Sequence, residues 1–170
     1  NWNRSKDEIS FLLTLFENFL DEAIEKISTK EIKVRFIGDF SKFKLNIQKK
    51  ICKLSDISHA NKGITLTLAV NYGGRFDIVQ ACKKYSNSNC ANDLDEIKFS
   101  NFLLNKELPN PDFLIRTGGQ YRLSNFLLWD LAYTELLFLS QMWPDFDMEL
   151  LKNSINEYNK RKRNFGGNEL

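Results

Sequence analysis

The sequence is poor in the residues that staple a chain, break it or bind metal. Its 170 residues include three prolines, eight glycines, three cysteines and one histidine. Cys52, Cys82 and Cys90 form no C-x-x-C pair and leave an odd count; with His59 the sole histidine, a structural zinc site has no ligand set. Reduced thiols are expected, as in a cytosolic protein. No apolar run reaches bilayer length and no secretory leader pattern is present. The expectation is therefore a soluble, unexported, cytoplasmic chain with at most peripheral membrane contact. Basic and acidic residues number 24 and 22, a net charge of +2 that is too small to imply a nucleic-acid partner. The motifs G-x-x-x-x-G-K-[ST] and G-x-G-x-x-G are also missing, which disfavours nucleoside triphosphates and dinucleotides.

What is present is an ordinary soluble composition, 42% hydrophobic and 27% charged, with an excess of rings: 14 of the residues are Phe. At this length folding removes roughly 70% of the unfolded chain's surface, enough for a full core in a single domain over 1–170. A Phe-rich interior serves equally as core or as the lining of a deep apolar pocket, and composition does not choose.

The apolar spacing then sets the order of elements. Ser5-Lys6-Asp7-Glu8 reads as a capping box, and Ile9, Leu12, Leu13, Phe16, Leu20, Ala23, Ile24 and Ile27 continue it as a long amphipathic helix. Ile32, Val34 and Phe36 alternate as in a strand that ends at Gly38-Asp39, and Ile47, Ile51 and Leu54 form a second helical stripe. The run from Ile64 to Val70 predicts a buried strand, followed by a helix from Arg75 through Tyr85. Asn87 to Asn92 reads as a polar loop, and a short helix around Leu94 to Leu103 leads to the break at Pro109-Asn110-Pro111. The rest predicts a strand at 112–116, a helix at 123–130, a strand at 135–139, a turn at Trp143-Pro144-Asp145 and a helix from Met148 to Asn164. Strands alternating with helices mean an α/β fold with a mainly parallel sheet flanked by helices.

Two strand ends run into glycine turns, Asn71-Tyr72-Gly73-Gly74-Arg75 and Arg116-Thr117-Gly118-Gly119. In a parallel sheet both lie at the carboxyl edge, the usual ligand side. Glycine lets backbone amides approach an anion, and a helix start adds partial positive charge. Arg116 and Arg122 add planar donors that match phosphate oxygens, and the Ser124 hydroxyl is close enough in sequence to join them. A diphosphate is the ligand this set suits. The competing reading gives the glycines to tight packing alone and the arginines to surface acids.

Asn-Tyr-Gly-Gly-Arg at 71–75, Ile-Arg-Thr-Gly-Gly at 115–119, Arg-Leu-Ser-Asn-Phe-Leu-Leu-Trp at 122–129, Trp-Pro-Asp-Phe at 143–146 and Phe-Gly-Gly at 165–167 together resemble the cis-prenyltransferases, the bacterial undecaprenyl diphosphate synthase type in particular. Asn1-Trp2-Asn3-Arg4 and Ile37-Gly38-Asp39 look like further family blocks, so the resemblance spans the chain in family order. It implies a transferase that condenses isopentenyl diphosphate onto an allylic diphosphate such as farnesyl diphosphate, with new double bonds cis. It also implies Mg2+ as cofactor and a homodimer. By position, Arg116, Arg122, Leu123 and Ser124 match the isopentenyl diphosphate site. Asn1 matches an asparagine that assists proton removal, an orienting acceptor rather than a base. Trp2 and Arg4 match substrate contacts, and Glu135 matches a glutamate associated with magnesium. The first helix and the strands at 32–37 and 64–70 resemble tunnel walls, with Ile32 and Ile64 toward the far end.

Departures from the family pattern are Gln120 for a glutamate, Tyr121 for a polar or basic residue, Ser5 for proline and Asn164 for arginine. The family's first, aspartate-bearing block has no counterpart before Asn1. The expectation is accordingly a C-terminal portion of a synthase, an inactive fragment as it stands. A non-catalytic partner subunit of a prenyltransferase dimer is the alternative, and an RNA- or anion-binding module built on the basic run at 160–163 is a third.

Overall fold

A computed structural model describes residue 2 and residues 4–27, 31–88 and 94–162. The chain divides into two compact units, residues 1–73 and 74–170. In the first unit, helix α1 (Lys6–Lys26) precedes strand β1 (Lys33–Ile37), helix α2 (Leu45–Ser58) and strand β2 (Thr65–Ala69). β1 and β2 pair in parallel with Val34 opposite Leu66 and Ile37 opposite Ala69, and α2 is the crossover such pairing requires.

Ser5 caps α1 by accepting from the Glu8 amide at 3.2 Å. The reciprocal half of the expected capping box is not made, because the Glu8 carboxylate turns to Arg4 instead. One face of α1 and the stripe of α2 close over β1, burying Leu20, Ile27, Val34, Phe43, Ile47, Ile51 and Leu54. Of these, Leu20 and Leu54 are fully buried. β2 is less covered than its β-branched, apolar run predicts: Leu68 and Val70 pack on the core, but Leu66 is 43% and Ile64 74% exposed. Those two lie toward the strand's amino end.

Among the described residues Val34 has no strand partner on its outer edge, and the fully buried Ser58 hydroxyl at the end of α2 takes that place. It accepts from the Val34 amide at 3.0 Å and donates to the Leu54 carbonyl at 2.8 Å. Ser58→Ala strands a buried N–H, so it lowers the unfolding free energy by about 1–3 kcal/mol. Urea denaturation checks this, and an unchanged midpoint counts against it.

The second unit contains helix α3 (Gly74–Ser86), the short helix α4 (Glu96–Ser100), strands β3 (Phe113–Arg116) and β4 (Glu135–Phe138), a 3-10 turn at Trp143–Asp145 and helix α5 (Met148–Lys160). Ala81, Phe99 and Leu103 form its buried cluster, with Ile78, Phe102 and Trp129 against them. β3 and β4 pair in parallel, Phe113 opposite Glu135 and Arg116 opposite Phe138. The helix expected at 123–130 is not formed; turns occupy the whole connection. Ser124, Asn125 and Leu127 adopt φ of 49, 67 and 39°, a left-handed backbone that no right-handed helix accommodates. Asp95 caps α4, accepting from the Lys98 amide at 2.7 Å. Cys52 and Cys82 are free thiols on the surface. Asn1, Cys90, Arg163, Asn164 and the Phe-Gly-Gly block lie outside the described residues.

Candidate functional site

In the second unit the site is assembled where β3 ends. The Arg116 guanidinium donates to the Ser124 hydroxyl at 2.9 Å and also to the Arg122 carbonyl. One arginine therefore gathers the backbone and hydroxyl of the loop that follows it. Arg122 is exposed, and among the described residues neither Arg116 nor Arg122 pairs with a carboxylate. Two guanidinium groups and a hydroxyl thus lie within one loop with no acid to neutralise them. Beside them is a cavity of about 630 Å³ lined by Phe113, Ile115, Leu123, Phe126, Leu127 and Leu131, with Arg116 and Ser124 as polar members of its wall.

The glycines behave as the packing reading requires, not as amide donors to a ligand. Gly118 and Gly119, at φ of 90 and 67°, turn the chain back along the continuation of β4, where their amides donate to the Gln141 and Leu139 carbonyls at 2.7 and 2.8 Å. The Gly74 amide donates to the Asn125 carbonyl at 2.6 Å, and a Cβ on Gly74 would lie 2.9 Å from the Leu128 amide nitrogen. The Gly74, Gly118 and Gly119 amides are thus already used by the fold.

Glu135 is at the amino end of β4, three residues from the position opposite Arg116, a separation of about 10 Å along the strand. Its carboxylate accepts from Arg161 at 2.8 Å; Arg161 also pairs with Glu157 at 2.7 Å and covers the Phe113 ring at 5.7 Å. Glu157, then Glu135, raise the Arg161 pKa further. Within the basic run at the end of α5, Arg161 is thus a tie between helix and sheet, while Lys160 and Lys162 are exposed. Among the described residues no three His, Cys, Asp or Glu side chains cluster as a metal site, and Glu135 meets Arg161 through its Oε2.

The first unit holds a separate apolar pocket of about 340 Å³ at the carboxyl ends of β1 and β2. Trp2, Ile9, Leu12, Leu13, Phe16, Phe43, Val70 and Tyr72 are among its walls. The Trp2 indole N–H donates to Asn71 Oδ1 at 2.8 Å, and Asn71 Nδ2 donates to the Asp39 carbonyl at 2.6 Å. Trp2 packs on Phe43 at 5.7 Å with the Lys42 ammonium 5.8 Å from its ring. The Ser41 hydroxyl, then its amide, hold the Asp39 carboxyl below its ordinary pKa. Arg4 is an ion-pair partner of Glu8 on the surface of α1. Ile32 packs into the core and Ile64 is exposed, so neither lines this pocket. A row of exposed apolar residues, Phe11, Leu15 and Phe19, runs along α1 next to the pocket residue Leu12.

Asn71 and Asn125 escaped the residue-by-residue reading as positioning groups. Their signal was the turn they occupy, since asparagine tolerates a left-handed backbone and offers an amide oxygen at short reach.

The second unit also buries a pair of acids. Asp77, 1% exposed, accepts from the Leu104 amide at 3.0 Å, and Asp130 is 6% exposed. Burial pushes the Asp130 carboxyl up; a hydrogen bond from Asn105 holds it down in part, and the Asp77 charge adds to the rise. The folded state then keeps the Asp130 proton above about pH 4, where the unfolded chain releases it. The unfolding free energy falls as pH rises from there until Asp130 ionises. Asp130→Asn removes this contribution, and melting temperature against pH checks it: the variant's curve is flatter within that window, and an unchanged slope there counts against it.

The fold is α/β, parallel strands flanked by helices, and the solved structures it resembles are prenyltransferases. Lavandulyl diphosphate synthase from Lavandula x intermedia, solved with dimethylallyl diphosphate, superposes with a TM-score of 0.90 at 38% identity, over 98% of this chain and 75% of that one. A Campylobacter jejuni protein described as a probable undecaprenyl diphosphate synthase gives 0.90 at 33%, over 98% and 78%. The family model described as "Putative undecaprenyl diphosphate synthase" matches residues 1–166. The ditrans,polycis-undecaprenyl-diphosphate synthase of Wigglesworthia glossinidia brevipalpis is 43% identical over 98% of the chain, and that of Escherichia coli K12 41% over 99%. The chain spans 66% and 69% of those two proteins' lengths. It belongs to the undecaprenyl diphosphate synthase family of cis-prenyltransferases.

Proposed function

We propose that the chain carries the isopentenyl diphosphate half of a cis-prenyltransferase site and takes part in condensing that substrate onto an allylic diphosphate. The Wigglesworthia and Escherichia relatives are named as specific for (2E,6E)-farnesyl diphosphate, which makes a farnesyl-type primer the expected partner. The carrying observation is the unneutralised loop in which Arg116 holds Ser124 beside Arg122. Guanidinium N–H groups would donate to diphosphate oxygens and the Ser124 hydroxyl would complete the set. The C5 tail would leave this polar group for apolar surroundings. In the condensation the allylic C1 forms a bond to the terminal methylene carbon of isopentenyl diphosphate. The allylic C–O bond breaks, diphosphate leaves, and a proton departs from the carbon next to the new cation. Holding isopentenyl diphosphate in one orientation is what this loop would supply to that sequence. Asn1 is proposed as the orienting acceptor for the departing proton.

Trp2 and the pocket around it support the other requirement, a dry place for a growing hydrocarbon. The apolar row of α1 extends that surface. Arg4 would reach substrate only by leaving Glu8, and Ile32 and Ile64 would act on chain length at the opposite ends of the strands. Mg2+ is the ion the family resemblance implies; since Glu135 is engaged by Arg161, no step here is routed through it. Homodimerisation and a cytoplasmic setting complete the proposal. No described helix is long and apolar enough to cross a membrane.

The test is calorimetric titration with isopentenyl diphosphate, followed by incubation with farnesyl diphosphate, labelled isopentenyl diphosphate and magnesium. Binding with saturation supports the clamp, and labelled polyprenyl diphosphate supports catalysis. Absence of binding, with an active homologue co-purifying, would instead favour a non-catalytic partner subunit.

A further inference from the structure

We infer that Asn125 is a positioning residue that fixes the anion clamp by capping α3 from outside the helix. The inference rests on the reading of Arg116, Arg122 and Ser124 as a diphosphate site. The first amides of α3 need acceptors, and one residue of the clamp loop supplies two of them. The Asn125 carbonyl accepts from Gly74 at 2.6 Å, and its Oδ1 accepts from the Arg75 amide at 2.9 Å. Both acceptors can face the helix because Asn125 sits at φ 67°, a backbone that asparagine adopts more readily than most residues.

The neighbouring geometry shows what this attachment does. Ser124 and Leu127 are also left-handed, at φ 49 and 39°, and such conformations persist in non-glycine residues only where the surroundings over-determine them. Arg116 holds one end of the loop through the Arg122 carbonyl and the Ser124 hydroxyl. Asn125 holds the next residue to α3, and the absence of a Cβ at Gly74 lets Leu128 close in behind. Ser124 is therefore pinned between a strand-end arginine and a helix start. With the Asn125 amide removed, the Arg75 N–H loses its acceptor and the loop is held to α3 by the Gly74–Asn125 backbone bond alone. Asn125 needs no contact with ligand to have this effect.

The experiment compares the full chain with Asn125→Ala, Asn125→Gly and Asn125→Ser. Dissociation constants for inorganic pyrophosphate and for isopentenyl diphosphate are measured by calorimetry, with melting temperatures alongside. Leu103→Ala, in the buried cluster of the same unit, is the control for destabilisation alone. Asn125→Ala is expected to weaken both anions about tenfold, the size of a lost cap. Asn125→Gly accepts the left-handed φ without strain and loses less than alanine, and Asn125→Ser recovers part of the affinity through its hydroxyl. Leu103→Ala lowers the melting temperature without moving either constant. Asn125→Ala within twofold of wild type overturns the inference, as does a Leu103→Ala that weakens binding equally. Should Asn125→Ala fail to fold, the order of wild type, serine and glycine decides by the same limits. A wild-type chain that binds neither anion overturns the clamp reading and this inference with it.

Discussion

Arg116→Ala lowers the affinity of the chain for isopentenyl diphosphate by about 100-fold, near 2.7 kcal/mol. A hydrogen bond from a charged donor contributes about 1.5–3 kcal/mol, and Arg116 has donors beyond the two spent on the loop. Its loss also releases the Arg122 carbonyl and the Ser124 hydroxyl, so the remaining donors lose their shared orientation. Arg116→Lys separates the two contributions. Lysine keeps the charge but is a point donor on a flexible stem; if its one nitrogen holds both loop acceptors, as Nη1 of Arg116 does, no second nitrogen is left for phosphate oxygens. Its affinity is expected about tenfold below wild type, between the other two proteins. Calorimetric titration of the three, each shown folded by circular dichroism, reads the result. Affinity for Arg116→Ala within threefold of wild type would sink the clamp.

Gly38→Ala destabilises the first unit by about 2–6 kcal/mol, from backbone strain and overpacking together. Gly38 follows β1 at φ 135°, outside the range alanine accepts, and its added Cβ would sit 1.9 Å from the Val70 carbonyl oxygen. The obstruction is backbone on backbone, held in place by Val70 donating to Ile37 at 2.9 Å and Asp39 to Asn71 at 3.2 Å. No side-chain rotation relieves it. For a domain of ordinary stability this is a large fraction of the whole. The same turn places Asn71, to which the Trp2 indole is bonded, so the variant also loosens Trp2. Urea denaturation reads the first effect. Tryptophan emission in a Trp129→Phe, Trp143→Phe background reads the second as a red shift. An unshifted midpoint would show that the turn can adopt another path.

These expectations draw unequally on sequence and structure. The three- and four-residue steps from Ile9 to Ile27 made α1 legible because one buried face is enough to impose that spacing. The strand at 113–116, the parallel pairing and the α/β class followed in the same way. Arg116, Arg122 and Ser124 could be chosen before any coordinates because three phosphate donors in nine residues are rarely needed by packing alone.

Other features were decided at long range. The segment 123–130 has helical apolar spacing, yet it is turns, because Arg116 and the start of α3 hold its backbone left-handed. The glycine amides, well placed in sequence to receive an anion, are taken by the continuation of β4 and by Asn125. Glu135 matches a family position, but its partner is Arg161, twenty-six residues on and next to it only in the fold. Local sequence thus determined which stretches become helix or strand and which side chains can meet a phosphate, since those depend on spacing and donor chemistry. Tertiary structure decided which donors are left unpaired. A hydrogen bond or ion pair forms with whatever the fold brings near, and no stretch of sequence carries that information by itself.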